Sequence, residues 1–178
     1  MKTLLVMPSL DNGYWKKLGK KVGPKSEPLS LLYIATFLNH NGHKTEILDC
    51  EAEGISNEEI EEHIKSNNYD VVGVAMLTSM FSQSLEVCKT AKKVNPNIKT
   101  VVGGSHASVR PVETAQEQSI DIVTIGEAEI TFKEILDALE KNTPLKDVSG
   151  ICYKENGKVM KNEPKPKVQD LDFFPIPD

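Results

Sequence analysis

Five short apolar runs set what this chain can become: Thr3 to Met7, Lys44 to Leu48, Asp70 to Met76, Ile98 to Val102 and Asp121 to Ile125. Each has strand length, and helical patterns lie between them. The run from Asp70 to Met76 is continuously apolar, as in a strand covered on both faces. Strands that alternate with helices pair in parallel through right-handed crossovers. The pattern predicts an α/β fold: a Rossmann-like (flavodoxin-like) five-stranded parallel sheet, order 2-1-3-4-5, with helices on both faces. In such sheets ligands bind at the carboxyl ends of the strands, where the strand order reverses. Here that point falls between the first and third strands.

The helices follow from local signals. Pro28 to His40 is apolar nearly all round, so it is expected to be largely buried, and Asn41-Gly42 stops it. Ser56 opens the next helix with a capping box to Glu59, and Ile55 and Ile60 are placed for a hydrophobic staple. Leu77-Thr78-Ser79-Met80 leads into a helix with Phe81, Leu85, Cys88 and Ala91 on one stripe, ended by Asn95-Pro96. Cys88 is therefore read as a core residue. Pro111 to Gln118 is a short helix. Phe132, Ile135, Leu136 and Leu139 form the stripe of the last helix, with Glu127 and Glu129 near its N-terminus.

After Pro144 the pattern changes. Gly150 to Tyr153 and Lys158 to Met160 flank Asn156-Gly157, a hairpin turn signal. The segment from Glu163 to Asp178 holds four prolines and is expected to be a linker without regular structure. The expected organisation is a binding domain over 1–142, a β-hairpin extension over 143–162 and a linker over 163–178.

Bulk properties exclude several classes. The net charge is -5 and the chain holds one arginine, Arg110, which argues against nucleic acid. No apolar run approaches the ~20 residues of a membrane span. Cysteines stand at 50, 88 and 152 without Cys-x-x-Cys spacing, which fits reduced thiols in a cytoplasmic protein better than disulfides or zinc. No signal-peptide pattern precedes the first strand.

The loops at the predicted carboxyl edge carry the functional information. The first strand runs into Met7-Pro8-Ser9, not a Gly-x-Gly-x-x-Gly fingerprint, and no P-loop occurs. The acidic pair of a receiver domain and the nucleophile elbow of a hydrolase are also absent. The fourth strand ends in Gly103-Gly104-Ser105-His106. Adjacent glycines there either open the edge to a ligand or make a tight strand-to-helix turn. With Thr78, Ser79 and Gly126, the residues Gly103, Gly104 and Ser105 could line a deep slot for a long, flat, amide-rich ligand with a nucleotide tail.

Four motifs resemble one family. Pro28 to Ala35 matches an early Pro-Leu-x-Leu-x-x-Ile-Ala pattern. Gly103-Gly104-Ser105-His106 matches Gly-Gly-x-His, and Gly126-Glu127-Ala128-Glu129 matches Gly-Glu-x-Glu. Asp170 to Pro177 matches a closing Asp-Leu-Asp-x-x-Pro-x-Pro. Together they resemble the N-terminal cobalamin-binding domain of radical S-adenosylmethionine enzymes, a group including methyltransferases and the anaerobic magnesium-protoporphyrin monomethyl ester cyclase. The resemblance covers nearly the whole chain.

It implies cobalamin on the carboxyl edge, its benzimidazole tail threading between the first and fourth strands beside Gly103 and Gly104. The implied contacts are Ser9, Leu77, Thr78, Ser79, Met80, Gly103, Gly104, Ser105, His106, Gly126, Glu127 and Ala128. No protein metal ligand is implied: where histidine-ligating cobalamin domains carry Asp-x-His-x-x-Gly, this chain has Asp11-Asn12-Gly13-Tyr14-Trp15. The cobalt is thus expected base-off and His-off, which favours a nucleophilic Co(I) that accepts and delivers a methyl group. His106 is read as a hydrogen-bonding residue near the tail, and His40, His43 and His63 as surface residues. Arg110 could pair with a ligand phosphate or face solvent, and the second reading is preferred. Tyr14 and Trp15 could cover the corrin or simply anchor their loop.

The Cys-x-x-x-Cys-x-x-Cys cluster motif is absent. S-adenosylmethionine and a 4Fe-4S cluster would therefore belong to a further C-terminal domain in cis, and this stretch holds no catalytic residue of its own. The parent would be a methyltransferase or a cyclase. Two other readings stand beside this one: a cobalamin-like domain that has lost its ligand and serves as a docking platform, and a flavodoxin-like flavin-binding protein.

Overall fold

The structure is a computed structural model, and it describes residues 1–10, 27–168 and 170–177. Its strands are β1 (Lys2–Met7), β2 (Lys44–Asp49), β3 (Val71–Ala75), β4 (Lys99–Gly103), β5 (Ile122–Thr124), β6 (Ile151–Glu155) and β7 (Lys158–Lys161). They form one seven-stranded sheet, order β2-β1-β3-β4-β5-β6-β7. The first five pair in parallel in the expected order, with Val6 opposite Val74 and Ala75 opposite Gly103. The order therefore reverses between β1 and β3, as read from the sequence.

The helices are α1 (Leu29–His40), α2 (Cys50–Glu53), α3 (Asn57–Asn67), α4 (Phe81–Val94), α5 (Ser105–Val109), α6 (Pro111–Gln116) and α7 (Glu129–Lys141). The period-two geometry of strands sends alternate residues to opposite faces. Leu4, Val6, Val72, Val74, Val102 and Val123 pack with Ile60, Ile64, Leu85 and Cys88 of α3 and α4. Leu5, Val71, Val101 and Ile122 pack with Leu31, Ile34, Phe132 and Ile135 of α1 and α7. In the third run Val71 to Val74 are buried, because β3 is the middle of the five parallel strands.

The hairpin is not a separate extension. β6 pairs antiparallel with β5, Val123 opposite Cys152, and carries β7 as the edge. The physical reason lies in its residues: Ile151, Cys152 and Tyr153 are all buried, so they need a place inside the sheet. The hairpin covers the free edge of a β5 only three residues long.

Other local departures have equally plain causes. Asp49 does close β2, but its carboxylate also accepts from the Glu51 and Ala52 amides at 3.1 and 3.0 Å and starts α2, a turn the sequence reading did not include. His43 is buried rather than surface, with Nε2 3.2 Å from Asp137 Oδ1. α1 is less covered than its composition promised: Leu29 is 60 % exposed, and Tyr33 is exposed too. The capping box at Ser56 and Glu59 is present. Cys88 is in the core, where burial pushes its thiol up to about 12.

The C-terminal segment returns to the α1/α7 face. Lys165 pairs with Glu134 on α7. Asp170 accepts from the Asp172 amide at 3.1 Å and caps a single 3-10 turn over Leu171–Phe173. Phe173 and Phe174 then pack on Phe37 of α1, ring centroids 5.8 and 5.4 Å away. So the proline-rich stretch does hold one turn and an aromatic contact.

Candidate functional site

The carboxyl edge of the parallel strands is built from four connections. That after β1 begins Pro8-Ser9-Leu10, and its Leu10 amide donates to Glu51 Oε2 at 2.6 Å. The continuation, with Asp11 to Trp15, lies outside the described residues. The other three follow β3, β4 and β5.

The diglycine is explained by the connection after β3. The Met76 amide donates to the Gly103 carbonyl at 2.7 Å, and the His106 amide donates to the Met76 carbonyl at 3.2 Å. A Cβ on Gly104 would stand 2.9 Å from the Met76 oxygen, and Gly104 has φ +111°. A Cβ on Gly103 would stand 2.4 Å from Thr124 Oγ1. Of the two readings of these glycines, the tight turn is therefore realised: the room they vacate is taken by the chain itself. What the edge offers a ligand is the exposed backbone of Gly104, with Ser105 exposed beside it.

His106 bridges two connections. Its Nδ1 is 3.1 Å from Thr78 Oγ1, and its ring lies 4.9 Å from the Phe81 ring at the start of α4. Leu77, Thr78 and Ser79 are exposed above it, whereas Met80 is buried, 5 % exposed, and faces inward. The fold brings Thr78 and His106 into contact and leaves Met80 out. Because β3 stands between β1 and β4, a tail laid between the ends of β1 and β4 would cross the β3 end near Ala75 and Met76.

The connection after β5 is shaped by Gly126, at φ +80°. Among the described residues nothing stands within 4 Å of where its Cβ would be. Its amide donates to Ser108 Oγ at 3.0 Å. Glu127 is exposed and Ala128 half-buried. Glu129 follows at the first position of α7, where burial, reinforced by the charge of Glu127, holds its carboxyl above the ordinary range.

Sequence reasoning missed Phe81 as the rest for His106, and Ser108. The one signal for Ser108 was a hydroxyl two residues beyond the histidine, in a helix opened by glycine. Arg110 is exposed and its Nη2 lies 3.4 Å from Glu113 Oε1.

The edge is rich in hydroxyls, backbone amides and small residues, beside the apolar Leu77, the His106 imidazole and the Glu127 carboxylate. Among the described residues no three histidine, cysteine or carboxylate groups gather to hold a metal ion. Such an edge fits a ligand bearing amides, a sugar and a phosphate, which bring their own donors and acceptors. The donor set therefore fits a corrinoid held through its periphery.

The model of the B12 binding domain family matches residues 15–136. An uncharacterised methyltransferase of Pyrococcus horikoshii, PH0819, is 39 % identical over 99 % of this chain and 38 % of its own length. The anaerobic magnesium-protoporphyrin IX monomethyl ester cyclase of Rubrivivax gelatinosus is 28 % identical over 97 % of this chain and 31 % of its own. The chain thus spans about a third of the length of these relatives.

Among solved structures, the radical S-adenosylmethionine methyltransferase TsrM of Kitasatospora setae superposes with a TM-score of 0.76 at 18 % identity, over 96 % of this chain and 30 % of that one. That protein was solved with cobalamin and a 4Fe-4S cluster bound. The cobalamin-dependent radical enzyme OxsB gives 0.74 at 20 % identity, over 93 % of this chain and 22 % of that one. The fold is shared with both. Among the described residues no helix is long and apolar enough to cross a membrane. On the family match, the chain belongs to the B12-binding domain family, with relatives among methyltransferases and cyclases.

Proposed function

We propose that this domain holds cobalamin base-off and His-off across the ends of β1, β3, β4 and β5. The observation that carries the reading is the pairing of His106 with Thr78 and Phe81. Its Nδ1 is engaged at the wall of the site by Thr78, and in this reading it serves as a positioning and hydrogen-bonding group, with no protein ligand on the cobalt. Thr78, Ser79, Ser105 and the backbone of Gly104 serve as donors and acceptors to the nucleotide tail and corrin amides. Gly126 and Glu127 close the far side, with Leu77 and Ala128 as apolar contacts and Ser9 at the near end. Met80 supports the edge from beneath.

When bound without a strong lower donor, cobalamin supplies a low-valent, nucleophilic cobalt suited to methyl transfer. The chain's own residues orient it and leave one face uncovered. A further domain in cis would cover that face and hold S-adenosylmethionine and the 4Fe-4S cluster. Residues 163–178 would lead to it from the α1/α7 face. The reaction of the whole protein would be methyl transfer or oxidative cyclisation. Three buried, unpaired thiols suit a cytoplasmic setting, and the charge of -5 suits a protein that does not bind nucleic acid.

Titration with hydroxocobalamin tests this. Saturable binding is expected, and after reduction a Co(II) paramagnetic resonance spectrum without nitrogen superhyperfine splitting. Nitrogen splitting would refute the base-off, His-off claim. No binding at near-millimolar cobalamin would refute cofactor retention by these residues alone.

A further inference from the structure

The helix α5 is only five residues long, yet it joins three connections of the site. Its first turn is tied to the β3 connection by the His106 side chain and by the His106 amide on Met76. Its other side reaches the β5 connection through Ser108, whose Oγ accepts from the Gly126 amide at 3.0 Å. Gly126 sits at positive φ, and among the described residues nothing stands within 4 Å of where its Cβ would be, so no described neighbour steers that turn from the site side. From below, the Ile125 amide donates to the Gly150 carbonyl at 2.8 Å. Ser108 and Gly150 thus fix the two peptide groups that aim Gly126, Glu127 and the start of α7.

We propose that Ser108 is a positioning residue for cofactor binding, setting the far wall of the site through the Gly126 amide. This deepens the cobalamin reading and rests on it. A hydroxyl suits the task because it accepts one hydrogen bond and is short enough to keep α5 against β5. Removing it leaves the Gly126 amide free to turn toward water, and the wall then samples several orientations. The loss falls on binding, because a partly exposed amide can find water at little cost to the fold.

The test compares hydroxocobalamin titrations of the parent, Ser108→Ala and Ser108→Thr, with melting curves of each without ligand. Ser108→Ala is expected to weaken binding roughly five- to tenfold while its melting temperature moves by about 3 °C or less. Ser108→Thr, which keeps the oxygen, is expected to restore affinity to within about twofold. Ser108→Ala binding within twofold of the parent overturns the proposal, as does equal weakening in both variants. Failure of the parent itself to bind would instead overturn the cobalamin reading.

Discussion

Gly104→Ala is expected to destabilise the domain by on the order of 2–4 kcal/mol and to abolish measurable cobalamin binding. Two costs coincide at this position. The residue holds φ +111° and ψ -175°, a region open essentially to glycine alone. The new Cβ would also meet the Met76 carbonyl oxygen at 2.9 Å and the Met76 nitrogen at 3.3 Å. These are backbone atoms, so no rotamer change relieves the overlap. Relief requires the β3 and β4 connections to part, which breaks the hydrogen bond from the Met76 amide to Gly103 and the one from His106 to Met76. Thermal melting and hydroxocobalamin titration check both effects. For stability alone, Gly126→Ala is the control: it also sits at positive φ but, among the described residues, meets nothing within 4 Å. It should cost only the strain of a single left-handed residue, about 1 kcal/mol.

The second large effect lies under the site. Gly73, in the middle of β3, faces α7. A Cβ there would stand 2.6 Å from Leu5 Cδ2 and 2.9 Å from Phe132 Cε2 and Cζ. Phe132 is 4 % exposed, and its ring rests on the space that Gly73 leaves. Phe132→Ala is expected to cost about 3–5 kcal/mol by emptying that space. Gly73→Ala is expected to cost about 1–3 kcal/mol by overfilling it. Both volumes belong to one contact, so the double variant should be more stable than the sum of the two losses predicts, by roughly 1 kcal/mol or more. Denaturant unfolding of the four proteins measures this. Additive losses would show that the ring and the glycine do not share that space.

The adjacent glycines Gly103 and Gly104 show how far the sequence could be read. Apolar runs and capping signals are local, and the hydrophobic effect acts on them wherever they are. So the parallel sheet, its order, the Ser56 cap and the burial of Cys88 were all legible. The diglycine was legible as a special position at the carboxyl edge. Which atoms would fill the vacated space was not, because Thr124 and Met76 arrive from other strands, and only the register brings them there. His43 shows the same limit: it follows a glycine turn and looks solvated, but Asp137 lies 94 residues away and comes to it only through the packing of α1 on α7. The hairpin was visible from its Asn-Gly turn, while its pairing with β5 depended on a partner strand of three residues. Thr78 and His106 were singled out separately; their contact is a product of the crossover.

Hydrogen exchange with and without hydroxocobalamin tests most directly where the cofactor sits. Protection is expected in the amides of 76–80, 103–110 and 125–130, with the hairpin and the outer face of α3 unchanged. Protection confined to the α1/α7 face or to the β2 edge would contradict the account.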